Sequence, residues 1–341
     1  MSYERVRARF GARAFRPVLA LSLTVAVAAF VAIFGGASSA ASTNAKSASK
    51  SIGFMLGVQN NPFYETEQCG ANKAAKARGY SVDFQAPAQF DSGLSVQVID
   101  ALAAKKPAGL IVDPVFPTQE QSAIEGVIKS GIPLLSIQET LNAPGQIENL
   151  VSQHTQLGVM AADLLAKKIG SGEVYVSDFQ QGSESTDDRR IGFLSELKKY
   201  PNLKYIGDSF TGTDLTKAAQ AMSSILLRHP NLKAVFGTNL YSIEGDLTAI
   251  QQAGKTGQIT VISTDTLPIE IGWLQKGQVY ALIGQRPAAL AEKAVNDLID
   301  SLEGKAKGSG KTVFLPNPFV TITKANMNQP AIKTQYENGH C

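Results

Sequence analysis

The sequence predicts an α/β protein of two lobes, each a doubly wound parallel sheet. Three observations predict it. Short β-rich runs alternate with helical runs of roughly 10–16 residues, the pattern of parallel βαβ units. Strand runs such as GLIVDPV are nearly apolar throughout, which fits sheets covered by helices on both faces. The alternation comes as two series with a break after PLLSIQ, and 341 residues with 44% hydrophobic content can fill two cores.

The chain opens outside this alternation. Arg5, Arg7, Arg9, Arg13 and Arg16 crowd the first sixteen residues against Glu4 alone. Pro17–Phe34 is an uncharged apolar run, and GGASSAAS follows it. A basic region, an apolar region and a cluster of small residues make a secretory signal over residues 1–40. Ser38 and Ala40 fit positions −3 and −1 of a cut after Ala40. An uncleaved membrane anchor is the alternative, because the run is near the lower limit of about 17 residues for a spanning helix. No cysteine lies near the cut, so an exported, periplasmic protein rather than a lipoprotein is expected. Removing five Arg and one Glu leaves 27 basic and 28 acidic residues, a charge of −1. That balance offers no electrostatic reason to bind nucleic acid or anionic lipid.

After a small polar linker (41–50) the first series begins. SIGFMLGV reads as a buried strand, followed by a helix to about Arg78 whose start is marked by Asn61 as N-cap and Pro62 in the first turn. YSVDFQA, a helix near Ser92–Ala104, AGLIVDPV, a helix over Thr118–Ser130 and PLLSIQ complete it. The second series runs Leu157–Ile169 (helix), VYVSDFQ, Arg189–Lys199 (helix), LKYIGDSF, Leu215–Arg228 (helix), KAVFGTN, Ser242–Ala253 (helix), ITVISTD, Ile269–Gln275 and VYALIGQ. A long helix, Pro287–Leu302, precedes KTVFLPNPFVTITK.

Ligands of such sheets sit at the carboxyl ends of the strands. The residues there are Asn60–Tyr64, Asp113, Gln138 and Glu139, Gln180–Arg190, Asn239, Thr264–Asp265 and Gln285–Arg286. The set is rich in amides, carboxylates, Arg and aromatics, and holds no Ser-His-Asp or Cys-His combination. Phe63 and Tyr64, beside two amides in a helix's first turn, read as a binding wall. Rings stack on the C–H face of a sugar, while Arg and carboxylate each engage neighbouring hydroxyls.

These residues carry a resemblance to periplasmic sugar-binding proteins of the ribose-binding type, which have the type I periplasmic binding protein fold and are related to the effector-binding core of lac-repressor-like regulators. It covers about Lys50–Lys324. NNPFY is similar to the family's first-loop motif, which implies ligand contacts at Asn61, Phe63 and Tyr64. RRIGF resembles its Arg-x-x-Gly-Phe, with Arg189 in the Arg role; AVFGTN and VISTD resemble strands ending in a ligand-binding Asn239 and Asp265. ALIGQRP resembles the segment with a hinge Gln, here Gln285. The resemblance implies three chain crossings at a hinge between a first lobe (50–152 and 287–316) and a second (153–284 and 317–341). It also implies closure around the ligand and partners in a membrane permease and a cytoplasmic ATPase of an ABC importer.

Two departures bear on the ligand. Gln138-Glu139 stands where ribose binders carry Asp-Arg, and His154-Thr155 where they carry Asp-Asn at the first hinge. His154 is thus a hinge or cleft residue and a candidate contact. With Arg189 and Arg190 facing Glu139, Asp113 and Asp265, a neutral sugar or polyol is expected rather than a sugar acid, whose carboxylate would meet others in a desolvated cleft. Ribose itself is doubtful. A monomer without cofactor, metal or catalytic residues is expected; a chemoreceptor or sensor-kinase partner, or a sugar-acting enzyme, are the alternatives. A DNA-binding repressor is excluded by an export signal where a helix-turn-helix should stand.

Three further features are read conservatively. GSGKT (308–312) lacks the first Gly of a phosphate loop and precedes no helix, so it reads as a linker. Trp273 reads as core, and Asp187-Asp188 beside Arg189-Arg190 as a loop ion-pair cluster. Cys69 and Cys341 form an even pair in an oxidising compartment, and the tail after Lys324 is long enough to bring them together as a disulfide; two unpaired thiols are the alternative.

Overall fold

The structure, a computed structural model, describes residues 50–340. The leader over residues 1–40, all but the last linker residue, and Cys341 lie outside the described residues. The strands are β1 (Ser51–Met55), β2 (Ser81–Gln85), β3 (Gly109–Val112), β4 (Leu134–Ile137), β5 (Asn149–Val151), β6 (Gly172–Asp178), β7 (Leu203–Phe210), β8 (Leu232–Gly237), β9 (Thr260–Thr264), β10 (Ala281–Gly284), β11 (Thr312–Phe314) and β12 (Val320–Thr323). They form two six-stranded sheets, ordered β11-β5-β4-β3-β1-β2 and β12-β10-β9-β8-β6-β7. Every neighbouring pair is parallel except β12, which runs antiparallel to β10. The helices are α1 (Pro62–Ala77), α2 (Ser92–Ala104), α3 (Pro117–Lys129), α4 (His154–Ile169), α5 (Glu184–Leu197), α6 (Leu215–Arg228), α7 (Leu240–Gln252), α8 (Pro268–Lys276), α9 (Pro287–Leu302) and the short α10 (Pro330–Lys333).

The apolar strands are buried because helices cover both faces. On one face of the first sheet Phe54, Ile111 and Leu135 meet Ala71 and Ala74 of α1 and Leu290 and Leu298 of α9. On the other, Met55, Leu110, Val112 and Leu134 meet Ile99 and Leu102 of α2 and Ile124 and Val127 of α3. Successive residues of β3 alternate between these cores, as the period of a strand requires. The second sheet repeats the plan. Val176, Phe236 and Ile262 pack with Leu157 and Phe193 of α4 and α5, while Tyr175, Val235 and Val261 pack with Met222, Ile243 and Trp273 of α6, α7 and α8. Trp273 is core, as expected.

The chain passes between the sheets three times: between β5 and α4, between β10 and α9, and between β11 and β12. Residues 308–311 lead directly into β11, so no helix N-terminus follows the glycines of GSGKT. Beyond β12, Ile332 and Tyr336 pack on the second-lobe core, and the Gly339 N–H then reaches Thr66 Oγ1 of α1 in the first lobe at 2.9 Å. Among the described residues no helix is long and apolar enough to cross a membrane.

Several elements differ from the sequence reading, three of them in ways that bear on how the lobes are joined. β5 is a three-residue strand where a break was expected, paired with β4 and β11. Helix α4 begins at His154, three residues early, and α5 at Glu184, five residues before Arg189. The first turn of α5 is polar and reads as loop because its Ser185 N–H is satisfied by Glu139 from the other lobe, at 2.9 Å. A helix start held by a distant segment leaves no local signature.

Candidate ligand-binding site

The carboxyl ends of the two sheets face one another across a cavity with about 670 Å³ of empty space, its open mouth included. Asn61, Phe63 and Tyr64 reach it from the start of α1, Asp113 from the end of β3, and Gln138 and Glu139 from the end of β4. From the other lobe come Arg189 on α5, Asn239 before α7, Asp265 after β9 and Gln285 after β10. The structure thus brings ten of the expected residues together on one wall. His154 is the exception: it is buried behind the cavity and does not line it.

Local chemistry fixes these positions. Asn61 caps α1, its Oδ1 accepting from the Phe63 N–H at 2.9 Å, while its amide donates across the cleft to the Tyr241 hydroxyl at 3.3 Å. Asn239 caps α7 in the same way, accepting from the Ser242 N–H at 3.1 Å. Gln285 donates to Asp265 Oδ1 at 2.6 Å. Gln138 (φ 66°) and Asp265 (φ 80°) sit in the left-handed region, as does Asn60 (φ 57°) beside the capping Asn61. Non-glycine residues held there are costly and cluster at ligand clamps.

Arg189 is 5% exposed and is held by a chain of hydrogen bonds. One guanidinium nitrogen donates to the Thr238 carbonyl at 2.8 Å, and the other donates to His154 Nδ1 at 3.3 Å. Because Arg can only donate, Nδ1 accepts, and the ring proton sits on Nε2, which donates to the Gln138 carbonyl at 3.2 Å. Burial first, and then Arg189, hold the His154 pKa well below its ordinary value, consistent with this neutral tautomer. Helices α4 and α5 approach closely enough to make the contact because Gly158 and Gly192 stand at their crossing; a Cβ at either would fall on the backbone of the other helix.

Arg190 corrects the sequence reading. It does not face the cavity carboxylates but pairs with the fully buried Asp178 (3.1 Å), with Asp208 (3.3 Å) and with Asp187 (3.6 Å). Consecutive residues of a helix do not share a face, so the two arginines serve different partners. The cation of the cavity wall is therefore Arg189, set against Asp113, Glu139 and Asp265.

Burial pushes these carboxyls upward. Glu139 reaches about 8 through burial, opposed by its Ser185 hydrogen bond and by Arg189 and reinforced by Glu184. Asp113 is raised by burial and then by Glu67, Glu139 and Glu120. Asp265 is raised by burial, against the opposing pull of Arg189 and Gln285. Among the described residues Asp113 Oδ2, Arg189 Nε and Gln285 Oε1 are buried without a hydrogen-bond partner. Such groups call for an explanation, and a ligand with hydroxyls supplies one.

The raised carboxyls also set a pH dependence. Glu120, like Glu67 in the same lobe, is lifted by burial from 4.5 to about 8, so the native state holds protons that the unfolded chain releases. Their contribution is complete below about pH 4.5 and is lost as pH rises through about 8. His154 works in the opposite sense below 6.5, as one group against several. The melting temperature of the ligand-free protein is expected to fall by roughly 5 °C between pH 5 and pH 8. Thermal melts across that range check this, and a flat or rising profile would contradict it.

Several lining residues escaped the sequence reading. Phe90 lies between β2 and α2, Phe179 directly follows β6, and Tyr241 is in the first turn of α7. Phe90 packs against Phe179 (5.3 Å between ring centres) and Tyr241 (6.0 Å), closing an aromatic wall with Tyr64 and Phe63. The strand-end rule, applied to β2, would have found Phe90. Phe179 was hidden because VYVSDFQ reads as strand to its last residue, whereas β6 stops at Asp178. Ser183, Ser185 and Thr186, within the strand-end stretch Gln180–Arg190 that the sequence reading singles out, also line the cavity, from the early start of α5.

Residues 52–306 match the periplasmic binding protein domain. The D-allose-binding periplasmic protein of Escherichia coli (strain K12) is 28% identical over 271 residues, covering 76% of this chain and 86% of that protein. The ribose import binding protein RbsB of Bacillus subtilis (strain 168) is 29% identical over 256 residues, covering 74% and 82%. Among solved structures, an ABC transporter solute binding protein from Agrobacterium vitis bound with alpha-D-tagatopyranose superposes with a TM-score of 0.79 at 30% identity, covering 84% of this chain and 98% of that one. Two lobes, a cleft between strand ends and a domain match over most of the chain lead to one conclusion: this chain belongs to the periplasmic binding protein domain family.

Proposed function

We propose that this chain is the extracytoplasmic solute-binding component of an ABC importer and captures a small neutral sugar or polyol between its lobes. The observation that carries this reading is the make-up of the cavity between the lobes: an aromatic wall, three carboxyl groups, one guanidinium and several amides. The rings cover the C–H faces of a sugar; Asp113, Glu139, Asp265 and the Gln285 Oε1 accept from hydroxyls; Asn61, Gln138, Arg189 and Asn239 donate to them. A sugar acid is disfavoured, since one cation faces three carboxyls. Relatives named for D-allose and ribose support the ligand class. His154 acts through Arg189 rather than by touching the ligand. The lobes divide as 50–152 with 287–316 and 153–284 with 317–341, export rests on the leader over residues 1–40, and the partners are a permease and its ATPase that read the closed form. The protein binds its sugar without turning it over, with affinity near ~1 μM, about 8 kcal/mol.

A thermal-shift screen tests this. Ligand at about a hundred times Kd is expected to raise the melting temperature by roughly 5 °C for a neutral pentose, hexose, polyol or inositol. Shifts confined to anionic compounds would overturn the neutral-ligand reading, and turnover of a bound sugar would overturn the binding role.

A further inference from the structure

The segment beyond β12 has no part in either sheet, yet it touches the backbone beside the binding site. Glu337 is fully buried. One of its carboxylate oxygens accepts from the Thr266 N–H and the other from the Gln285 N–H, each at 2.8 Å. Thr266 follows the cavity residue Asp265, and Gln285 is itself a cavity residue bonded to Asp265. The Thr266 hydroxyl in turn donates to the Gln335 carbonyl and accepts from the Glu337 N–H, both at 3.3 Å. One carboxylate from outside the sheets therefore fastens the ends of β9 and β10 together. Two residues later, Gly339 is bonded to Thr66 of the other lobe.

The same geometry bears on the cysteines. Cys69 lies one turn beyond Thr66 on α1, about 5 Å along the helix axis. Cys341 is two residues beyond Gly339, a span of up to about 7 Å. A disulfide needs Cα atoms about 4.4–6.8 Å apart, which this arrangement permits.

We propose that this segment is a clasp on the ligand site: Glu337 positions Asp265 and Gln285, and a Cys69–Cys341 disulfide fastens the segment to the first lobe, so that ligand release depends on thiol state. The inference rests on the binding role proposed above. The bond forms by exchange with the disulfide of an extracytoplasmic thiol oxidoreductase. The two thiols of this chain give up two electrons and two protons, and the donor disulfide becomes two thiols. With the clasp fastened the lobes open less far, so a bound sugar leaves more slowly.

The test uses the full mature chain with D-allose, D-ribose and D-tagatose as probes. Non-reducing peptide mapping is expected to show Cys69 joined to Cys341. Glu337→Ala is expected to weaken binding about fivefold, and Glu337→Gln, which keeps one acceptor, about twofold. Cys341→Ser, or reduction of the parent, is expected to raise the dissociation rate about threefold with little change in association. Small-angle scattering of the ligand-free protein should show a larger radius of gyration for Cys341→Ser. Two free thiols in the oxidised protein, or both Glu337→Ala and Cys341→Ser unchanged in affinity and dissociation rate, would overturn the clasp. If no probe binds the parent, the proposed sugar role fails instead, while mapping and scattering still decide whether the clasp exists.

Discussion

Arg189→Ala is expected to weaken ligand binding by at least about 100-fold. The side chain is the cation on the cavity wall among the described residues, and it faces three carboxyls. Its removal takes away the donor to the Thr238 carbonyl and to His154 Nδ1, and it leaves Asp265 and Glu139 without the charge that favours their ionised forms. Truncating one partner of a buried charged network costs about 3–5 kcal/mol, which is about two to three and a half decades in Kd. Lys should not restore it. An ammonium is a point charge without the fork that reaches Thr238 and His154 together, so Arg189→Lys is expected to recover less than about tenfold of the loss. Calorimetric titration with the sugar found by screening measures both variants, and circular dichroism verifies that they fold. An alanine variant within tenfold of the parent would remove Arg189 from the ligand shell.

His154 shows where local reading stops. The resemblance to ribose binders marks a histidine at this position as unusual, and the structure puts it at the first residue of α4, just after the chain crosses from β5. What it does there depends on Arg189, thirty-five residues away, and on the Gln138 carbonyl of the other lobe. The alternation of strands and helices was legible because apolar period and capping residues are local properties. The positions of Asp113, Asn239 and Asp265 were legible for a related reason: a parallel sheet brings all its carboxyl ends to one edge, so sequence order alone assigns them to the rim. Phe90 meeting Phe179, Arg190 turning to Asp178, and Glu337 fastening β9 to β10 are contacts between segments far apart in the chain. No period or motif encodes such pairs: Arg190–Asp178 and Glu337 with β9 and β10 form only as the second lobe packs, and Phe90–Phe179 only where the two lobes meet. The three-residue β5 is the same case at a smaller scale, since its strand character comes from the neighbours on either side.

Glu139→Ala is expected to weaken binding about tenfold, with the loss appearing in the dissociation rate. Glu139 follows β4 in the first lobe, and its carboxyl accepts from the Ser185 N–H in the first turn of α5 in the second, at 2.9 Å. The adjacent Thr140 N–H donates back to Glu184 Oε2 at 2.7 Å. Ser183, at the cap position of α5, makes no side-chain cap hydrogen bond, so the helix is capped from across the cleft. Both bonds join the two lobes, so a separation of the lobes that frees the ligand would break them. Loss of a cap and its hydrogen bond costs about 1–2 kcal/mol, which sets the tenfold expectation. The form of the side chain matters as well. Burial holds the carboxyl at about 8, so near neutrality it is largely protonated in the closed state and accepts through its carbonyl oxygen. Gln has the shape of that protonated acid, and Glu139→Gln is expected to stay within about threefold of the parent. The sign of the pH effect follows: closure takes up a proton, so the parent's affinity is expected to weaken as pH rises from 7 to 9, while Glu139→Gln stays flatter. Stopped-flow release measured across that range separates two roles. If Gln proves as damaging as Ala and the parent shows no pH dependence, the residue works as an ionised carboxylate at the positive end of α5 rather than as a neutral cap.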